Sequence, residues 1–168
     1  PFGFREDAMT PVYGLSEAAL AVCFSDFKTR YTAQTDANGS EHISLGTPLP
    51  GFKVEIRDQA GFPVGDGESG AIWIQGPSLM EGYLNQPEAT AAALVDGWLN
   101  TGDMGCLING ELSVIGRAKD ILIFNGRNYA PAPIEGSLVD FPGLREGCVA
   151  AISVAHGDSE RLVVLVEH

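Results

Sequence analysis

Basic residues are scarce in this chain of 168 residues: 10 Lys and Arg stand against 22 Asp and Glu, a formal net charge of −12 and a pI near 4.4. A nucleic-acid surface needs a basic footprint to neutralise phosphates, so that class of partner is excluded. Any anionic ligand must be drawn in by a local field, because the global charge repels it. Cysteine is scarce too. Cys23, Cys106 and Cys148 are odd in number and widely spaced, with no C-x-x-C, so reduced thiols in a cytoplasm are expected. His42, His156 and His168 lack metal-ligand spacing, so no zinc site is expected. No apolar run reaches eighteen residues, so no transmembrane span is expected. The opening Pro1-Phe2-Gly3-Phe4-Arg5-Glu6-Asp7 places acid where a basic leader would stand, with no apolar stretch after it, so no signal peptide is expected in these residues. It also lacks an initiator Met, so the chain is expected to begin inside a longer protein.

What is present is apolar and glycine-rich. Hydrophobic residues make up 45% of the chain, ample for a core in one domain or in parts of two. Residues 9–12 followed by Tyr13-Gly14-Leu15 read as a strand ending in a tight loop. Ser16-Glu17-Ala18-Ala19-Leu20-Ala21-Val22 then starts like a helix, with Ser16 as its cap and Glu17 at the positive end of the dipole. Residues 29–44 are polar, carry Asn38-Gly39-Ser40, and read as a surface loop. Short strands dominate from 45 to 116. Lys53-Val54-Glu55-Ile56-Arg57 alternates with period two, and Ala71-Ile72-Trp73-Ile74-Gln75 is bounded by glycines, as strands are. Asn109-Gly110 between two apolar runs predicts a type I′ hairpin. One helix is predicted from Pro87, a residue suited to the first helical position. Beyond Arg117 the pattern predicts a strand at 121–124, a short helix at 133–140, and two buried strands at 148–154 and 161–166 joined through Gly157-Asp158.

The motifs carry the chemistry. In order along the chain stand Tyr13-Gly14-Leu15-Ser16-Glu17, then Gly76-Pro77-Ser78-Leu79-Met80-Glu81-Gly82-Tyr83-Leu84-Asn85-Gln86-Pro87-Glu88-Ala89-Thr90, then Gly97-Trp98-Leu99-Asn100-Thr101-Gly102-Asp103. Last comes Gly116-Arg117-Ala118-Lys119-Asp120-Ile121-Leu122-Ile123-Phe124-Asn125-Gly126-Arg127-Asn128-Tyr129-Ala130-Pro131-Ala132-Pro133-Ile134-Glu135. The set resembles the adenylate-forming superfamily of acyl-CoA synthetases, peptide-synthetase adenylation domains and luciferases. Within it the chain is most similar to fatty acyl-AMP ligases and acyl-CoA synthetases. Pro133 departs from the acidic residue usual before Ile-Glu, though proline still suits a helix start.

The resemblance implies an α+β fold: residues 1–28 closing a large α/β subdomain, 29–117 a small distorted β-barrel, and 118–168 the start of a small C-terminal domain. It implies ATP or AMP and Mg²⁺ as cofactors, a carboxylic (fatty) acid as substrate, and CoA or the phosphopantetheine of an acyl carrier protein as acceptor. Such chemistry holds two anions in line while charge builds on phosphate oxygens, so catalysis is mainly positioning and electrostatic stabilisation. Residue by residue, Tyr13 would stack on adenine, with Gly14 beside it among the cofactor-binding positions. Ser16 would donate to a phosphate, and Glu17 would ligate Mg²⁺. Asp103 would accept from the ribose diol, and Arg117 would make a second ribose or phosphate contact. Lys119 would be the hinge about which the small domain swings, and Gly126 would enter the active site in the second orientation. Taken singly each has a plainer reading: Tyr13 a core tyrosine, Ser16 an N-cap, Asp103 a turn residue, Arg117 an ion-pair partner of Asp120, Gly126 a turn glycine.

Two parts of the family's machinery match nothing here: the Ser/Thr/Gly-rich phosphate loop with its lysine, and the C-terminal lysine that meets the carboxylate and α-phosphate. The 168 residues alone are therefore expected not to adenylate. A rival reading stays open, that of a truncated or degenerate module that binds a nucleotide or a partner without catalysis.

Overall fold

The computed structural model describes residues 3, 5–27, 29–124, 127–145, 147–156 and 159–167. It is built mostly of strands with few helices, an α+β arrangement whose contacts separate residues 1–115 from 116–168 as two compact units.

The first unit begins with an antiparallel pair, β1 (Val12–Leu15) and β2 (Leu20–Phe24), to which β5 (Thr47–Pro48) adds a third strand across β2. Between these come β3 (Ala33–Thr35) and β4 (Glu41–Ile43), a two-stranded hairpin. The larger sheet contains β6 (Lys53–Arg57) and β7 (Gly70–Gln75), then α1 (Pro87–Ala93) and β8 (Leu94–Val95), then β9 (Trp98–Ile108) and β10 (Glu111–Arg117). Its order is β10-β9-β7-β6, with β8 also on β9, and it forms a half-barrel.

Local physics accounts for several of these elements. Along β7 every second residue is buried, and Ile72 and Ile74 are wholly enclosed with Val22, Cys23, Leu99 and Leu112. Each such aliphatic side chain contributes about 1.5–3 kcal/mol by leaving water. At the β9–β10 turn, Asn109 and Gly110 both have positive φ, 53° and 81°, as a type I′ hairpin requires. Pro87 occupies the start of α1, where its missing N–H costs nothing.

Three expectations are corrected. The helix predicted from Ser16 is only a 3-10 turn, Ser16–Ala18, after which Ala19 turns left-handed at φ 66° and the chain returns as β2. Val22 and Cys23 are wholly buried in that strand, and their burial outweighs the modest helix propensity of the stretch. The polar loop at 29–44 contains the β3–β4 hairpin. There the Asp36 carboxylate accepts the N–H groups of Asn38 and Ser40, both at 2.9 Å, and pairs with the His42 ring at 3.1 Å. An Asx-type turn is the reason such a polar stretch folds back so tightly. The third correction lies in the second unit.

That unit holds the hairpin of β11 (Leu122–Phe124) and β12 (Arg127–Tyr129), the short α2 (Pro131–Gly136), and the hairpin of β13 (Val149–His156) and β14 (Ser159–Val166). Glu135 of α2 accepts the Ala151 N–H at 2.9 Å, tying helix to strand. The β13–β14 pair, expected to be buried, is half open: Ala151 is enclosed, whereas Ile152, Val154, Leu162 and Leu165 are exposed. Side chains of a strand alternate faces: Ile152, Val154 and Leu165 lie on the face opposite Ala151, whereas Leu162, paired with Ser153, lies on the face of Ala151, so each face of this pair keeps exposed apolar side chains. The turn expected at Gly157-Asp158 lies outside the described residues.

No helix among the described residues is long and apolar enough to cross a membrane. Cys23, Cys106 and Cys148 are free thiols, and burial pushes Cys23 up to about 12 and Cys106 up to about 11.

Candidate functional site

Two irregularities in the sheets bring sequence-distant residues together. In β1–β2 the register slips between Tyr13 and Gly14, so that Tyr13 faces Cys23 while Gly14 faces Ala21. Gly14 lies so close to the returning strand that a Cβ there would fall 1.6 Å from the Leu20 carbonyl oxygen. No side chain fits, so glycine is demanded by contact rather than by a turn.

The second slip falls in β9. Ile74 faces Leu99 and Trp73 faces Asn100, but Ala71 faces Met104; β9 therefore carries extra residues at Thr101-Gly102-Asp103. Gly102 takes φ 75°. The Thr101 hydroxyl donates to the Ile72 carbonyl at 2.9 Å and accepts the Asp103 N–H at 3.1 Å, while Asn100 Oδ1 accepts the Gly102 N–H at 3.1 Å. The motif is thus a self-bonded bulge that re-aims one carboxylate, as bulges beside active sites do.

The re-aimed carboxylate meets Tyr13. The phenol donates to Asp103 Oδ2 at 2.7 Å across 90 positions of sequence, with Tyr13 7% and Asp103 8% exposed. A hydrogen bond to an ionised acceptor in such an enclosed setting is among the stronger kind.

Beyond Gly14 the chain carries Ser16, exposed, and Glu17, half-buried, on the 3-10 turn. The cap position of the turn falls on Leu15, not on Ser16, and a three-residue turn has no macrodipole of consequence. The dipole support expected for Ser16 and Glu17 is therefore missing. Residues 78–83 hold the turn instead. The Met80 N–H donates to the Glu17 carbonyl at 2.7 Å, the Ser78 hydroxyl to the Ala18 carbonyl at 2.9 Å, and the Tyr83 phenol to Glu17 Oε1 at 2.9 Å. Donation to a carboxylate, helped by burial and by the charge of Glu17, raises the pKa of Tyr83 above its ordinary value. Nothing local in the sequence marks a role for Tyr83, because only tertiary contact joins it to a residue 66 positions away.

As for a divalent cation, no cluster of three or more His, Cys, Asp or Glu among the described residues is arranged to hold one. Glu17 offers one hard carboxylate, which fits Mg²⁺, since that ion takes one or two carboxylates beside phosphates and water. In the second unit Arg117 and Lys119 are exposed on a turn whose Asp120 and Ile121 N–H groups donate to the Arg117 carbonyl at 3.0 and 3.1 Å. Gly126 lies outside the described residues.

A family model for the AMP-binding enzymes matches residues 2–84. A putative acyl-CoA synthetase of Caulobacter vibrioides is 36% identical over 99% of this chain and 33% of its own length. Among solved structures, a fatty acyl-adenylate ligase from a study of the E. coli and L. pneumophila enzymes superposes with a TM-score of 0.82 at 34% identity, over 98% of this chain and 32% of that one. The O-succinylbenzoate coenzyme A synthetase of Bacillus subtilis, in complex with ATP and magnesium, does so with a TM-score of 0.74 at 27% identity, over 94% and 31%. The chain spans about a third or less of the length of the curated relatives it matches. With the motifs in family order, the sheets in the family's arrangement and these matches across nearly all its length, the chain belongs to the adenylate-forming superfamily of AMP-binding enzymes.

Proposed function

We propose that this chain is part of an ATP-dependent acyl-activating ligase. The ligase converts a carboxylic acid, of the fatty class, to acyl-AMP with release of pyrophosphate, for transfer to CoA or to the phosphopantetheine of a carrier protein in the cytoplasm. The observation that carries this reading is the Tyr13–Asp103 hydrogen bond, which joins the first and third motifs beside the Glu17 turn. In this reading residues 1–28 close a large α/β subdomain, 29–117 form the barrel-like subdomain and 118–168 open the small domain.

The roles follow from donor chemistry. Asp103 accepts from the ribose hydroxyls, held in place by Tyr13. At 7% exposure Tyr13 leaves little of its ring open for stacking on adenine, and its phenol fixes Asp103. The exposed hydroxyl of Ser16 donates to a phosphate oxygen. Glu17 is the protein ligand of Mg²⁺, which when bound neutralises phosphate charge. Arg117 adds a fork of donors for ribose or phosphate, Lys119 is the hinge, and Gly126 enters with the transferring orientation.

The test uses the intact protein that carries this chain, with Mg²⁺·ATP and a panel of fatty and aryl acids. Acid-dependent pyrophosphate release is expected, and Glu17→Gln is expected to lower it about 100-fold. Absence of acid-dependent pyrophosphate across the panel would refute the reading, and nucleotide binding without it would favour the non-catalytic module. Thioester formation with CoA against a carrier protein then identifies the acceptor.

A further inference from the structure

We infer that Tyr83 is a positioning residue that aims the Glu17 carboxylate at the divalent cation, an inference that rests on the reading of Glu17 just given. The Tyr83 phenol donates to Oε1 at 2.9 Å, and among the described residues Oε2 receives no side-chain bond. A carboxylate fixed at one oxygen is oriented at the other, as outer-shell partners orient metal ligands. A half-buried glutamate on a three-residue turn needs such help, because its three side-chain torsions are otherwise costly to freeze.

Tyr83 is itself held at a second point. Its N–H donates to Thr90 Oγ1 at 2.9 Å, and that hydroxyl donates to the Gln86 carbonyl at 2.9 Å on the first turn of α1. Gly82 admits the approach: a Cβ there would stand 2.7 Å from Thr90 Cγ2. The chain of contacts runs from α1 through Thr90 to the backbone of Tyr83 and from its phenol to Glu17. The neighbouring bonds from Met80 and Ser78 grip only the backbone of residues 17 and 18. Of the three staples, Tyr83 alone touches the carboxylate. A purely architectural clamp would be complete without its hydroxyl.

The test is Tyr83→Phe in the intact protein, with Ser78→Ala as the control that removes a staple without touching the carboxylate. Mn²⁺ affinity is read by electron paramagnetic resonance in the presence of a non-hydrolysable ATP analogue. Tyr83→Phe is expected to weaken Mn²⁺ about ten-fold and Ser78→Ala by no more than about two-fold, with no further loss when Tyr83→Phe is added to Glu17→Gln. In turnover, Tyr83→Phe raises the Mg²⁺ concentration needed for half-maximal rate, and kcat returns at saturating Mg²⁺. Unchanged Mn²⁺ affinity in Tyr83→Phe overturns the inference, as does equal weakening in both variants in step with equal losses of thermal stability. Wild-type protein that binds no Mn²⁺ with nucleotide removes the ligase reading as well, which separates the two failures.

Discussion

Gly14→Ala tests the geometry on which the site depends. The added methyl would stand 1.6 Å from the Leu20 carbonyl oxygen, 2.6 Å from its carbon and 2.9 Å from the Ala21 Cα. All three are backbone atoms, so no side-chain rotation relieves the overlap. To reach even 3.0 Å, the closest separation real Cβ atoms tolerate, β1 and β2 must part by more than an ångström, which breaks the ladder between Tyr13-Gly14 and its partner. Overpacking costs about 1–3 kcal/mol where side chains can yield, and lost ladder bonds add about 1 kcal/mol each. A destabilisation of about 3 kcal/mol or more is therefore expected in urea denaturation of the intact protein. The same displacement moves Tyr13 on one side and Glu17 on the other, so nucleotide affinity should fall with stability. Gly136→Ala is the control. Nothing lies within 4 Å of a Cβ at that helical position, and alanine there is expected to be neutral or to stabilise by up to about 1 kcal/mol. If Gly14→Ala shifts stability no more than this control, the register slip and the close approach at β1–β2 are not as described.

Two further perturbations probe the rest of the first unit. Burial of Asp36 works to raise its pKa, but the Ser40 N–H, the His42 ring and the Asn38 N–H outweigh it and hold the carboxyl below its ordinary value. A depressed folded pKa gives stability that is complete above the unfolded value of about 4 and is lost as pH falls through the lower folded value. Asp36→Ala should thus cost about 1–3 kcal/mol at pH 7, and the gap from wild type should close below about pH 4; a gap independent of pH in thermal melts would contradict this. On the sheet, the Arg57 guanidinium lies 4.6 Å from the Trp73 ring centroid and 4.8 Å from that of Trp98, and pairs with Glu55 at 2.7 Å. Arg57→Ala should cost about 1–2 kcal/mol and red-shift tryptophan emission, and an unchanged spectrum with unchanged stability would count against the stack.

Elements governed by neighbours in sequence were legible from the residues alone. Asn109-Gly110 has few conformations that suit it, Pro87 favours a helix start, and the alternation in 71–75 admits one buried face. The site residues Tyr13, Glu17 and Asp103 were marked by motif. The stretch from Ser16 to Val22 has the local pattern of a helix yet folds as a turn and a strand, because helix propensity is a weak bias, whereas enclosing Val22 and Cys23 on a strand between β1 and β5 is a strong one. Long-range geometry was the province of the tertiary structure. That Thr101-Gly102-Asp103 is a bulge depends on the partner strand against which residues are counted. The bonds from Tyr13 to Asp103 and from Tyr83 to Glu17 span 90 and 66 positions. Local pattern cannot encode such pairings, because they arise only when separate strands and loops pack around one core.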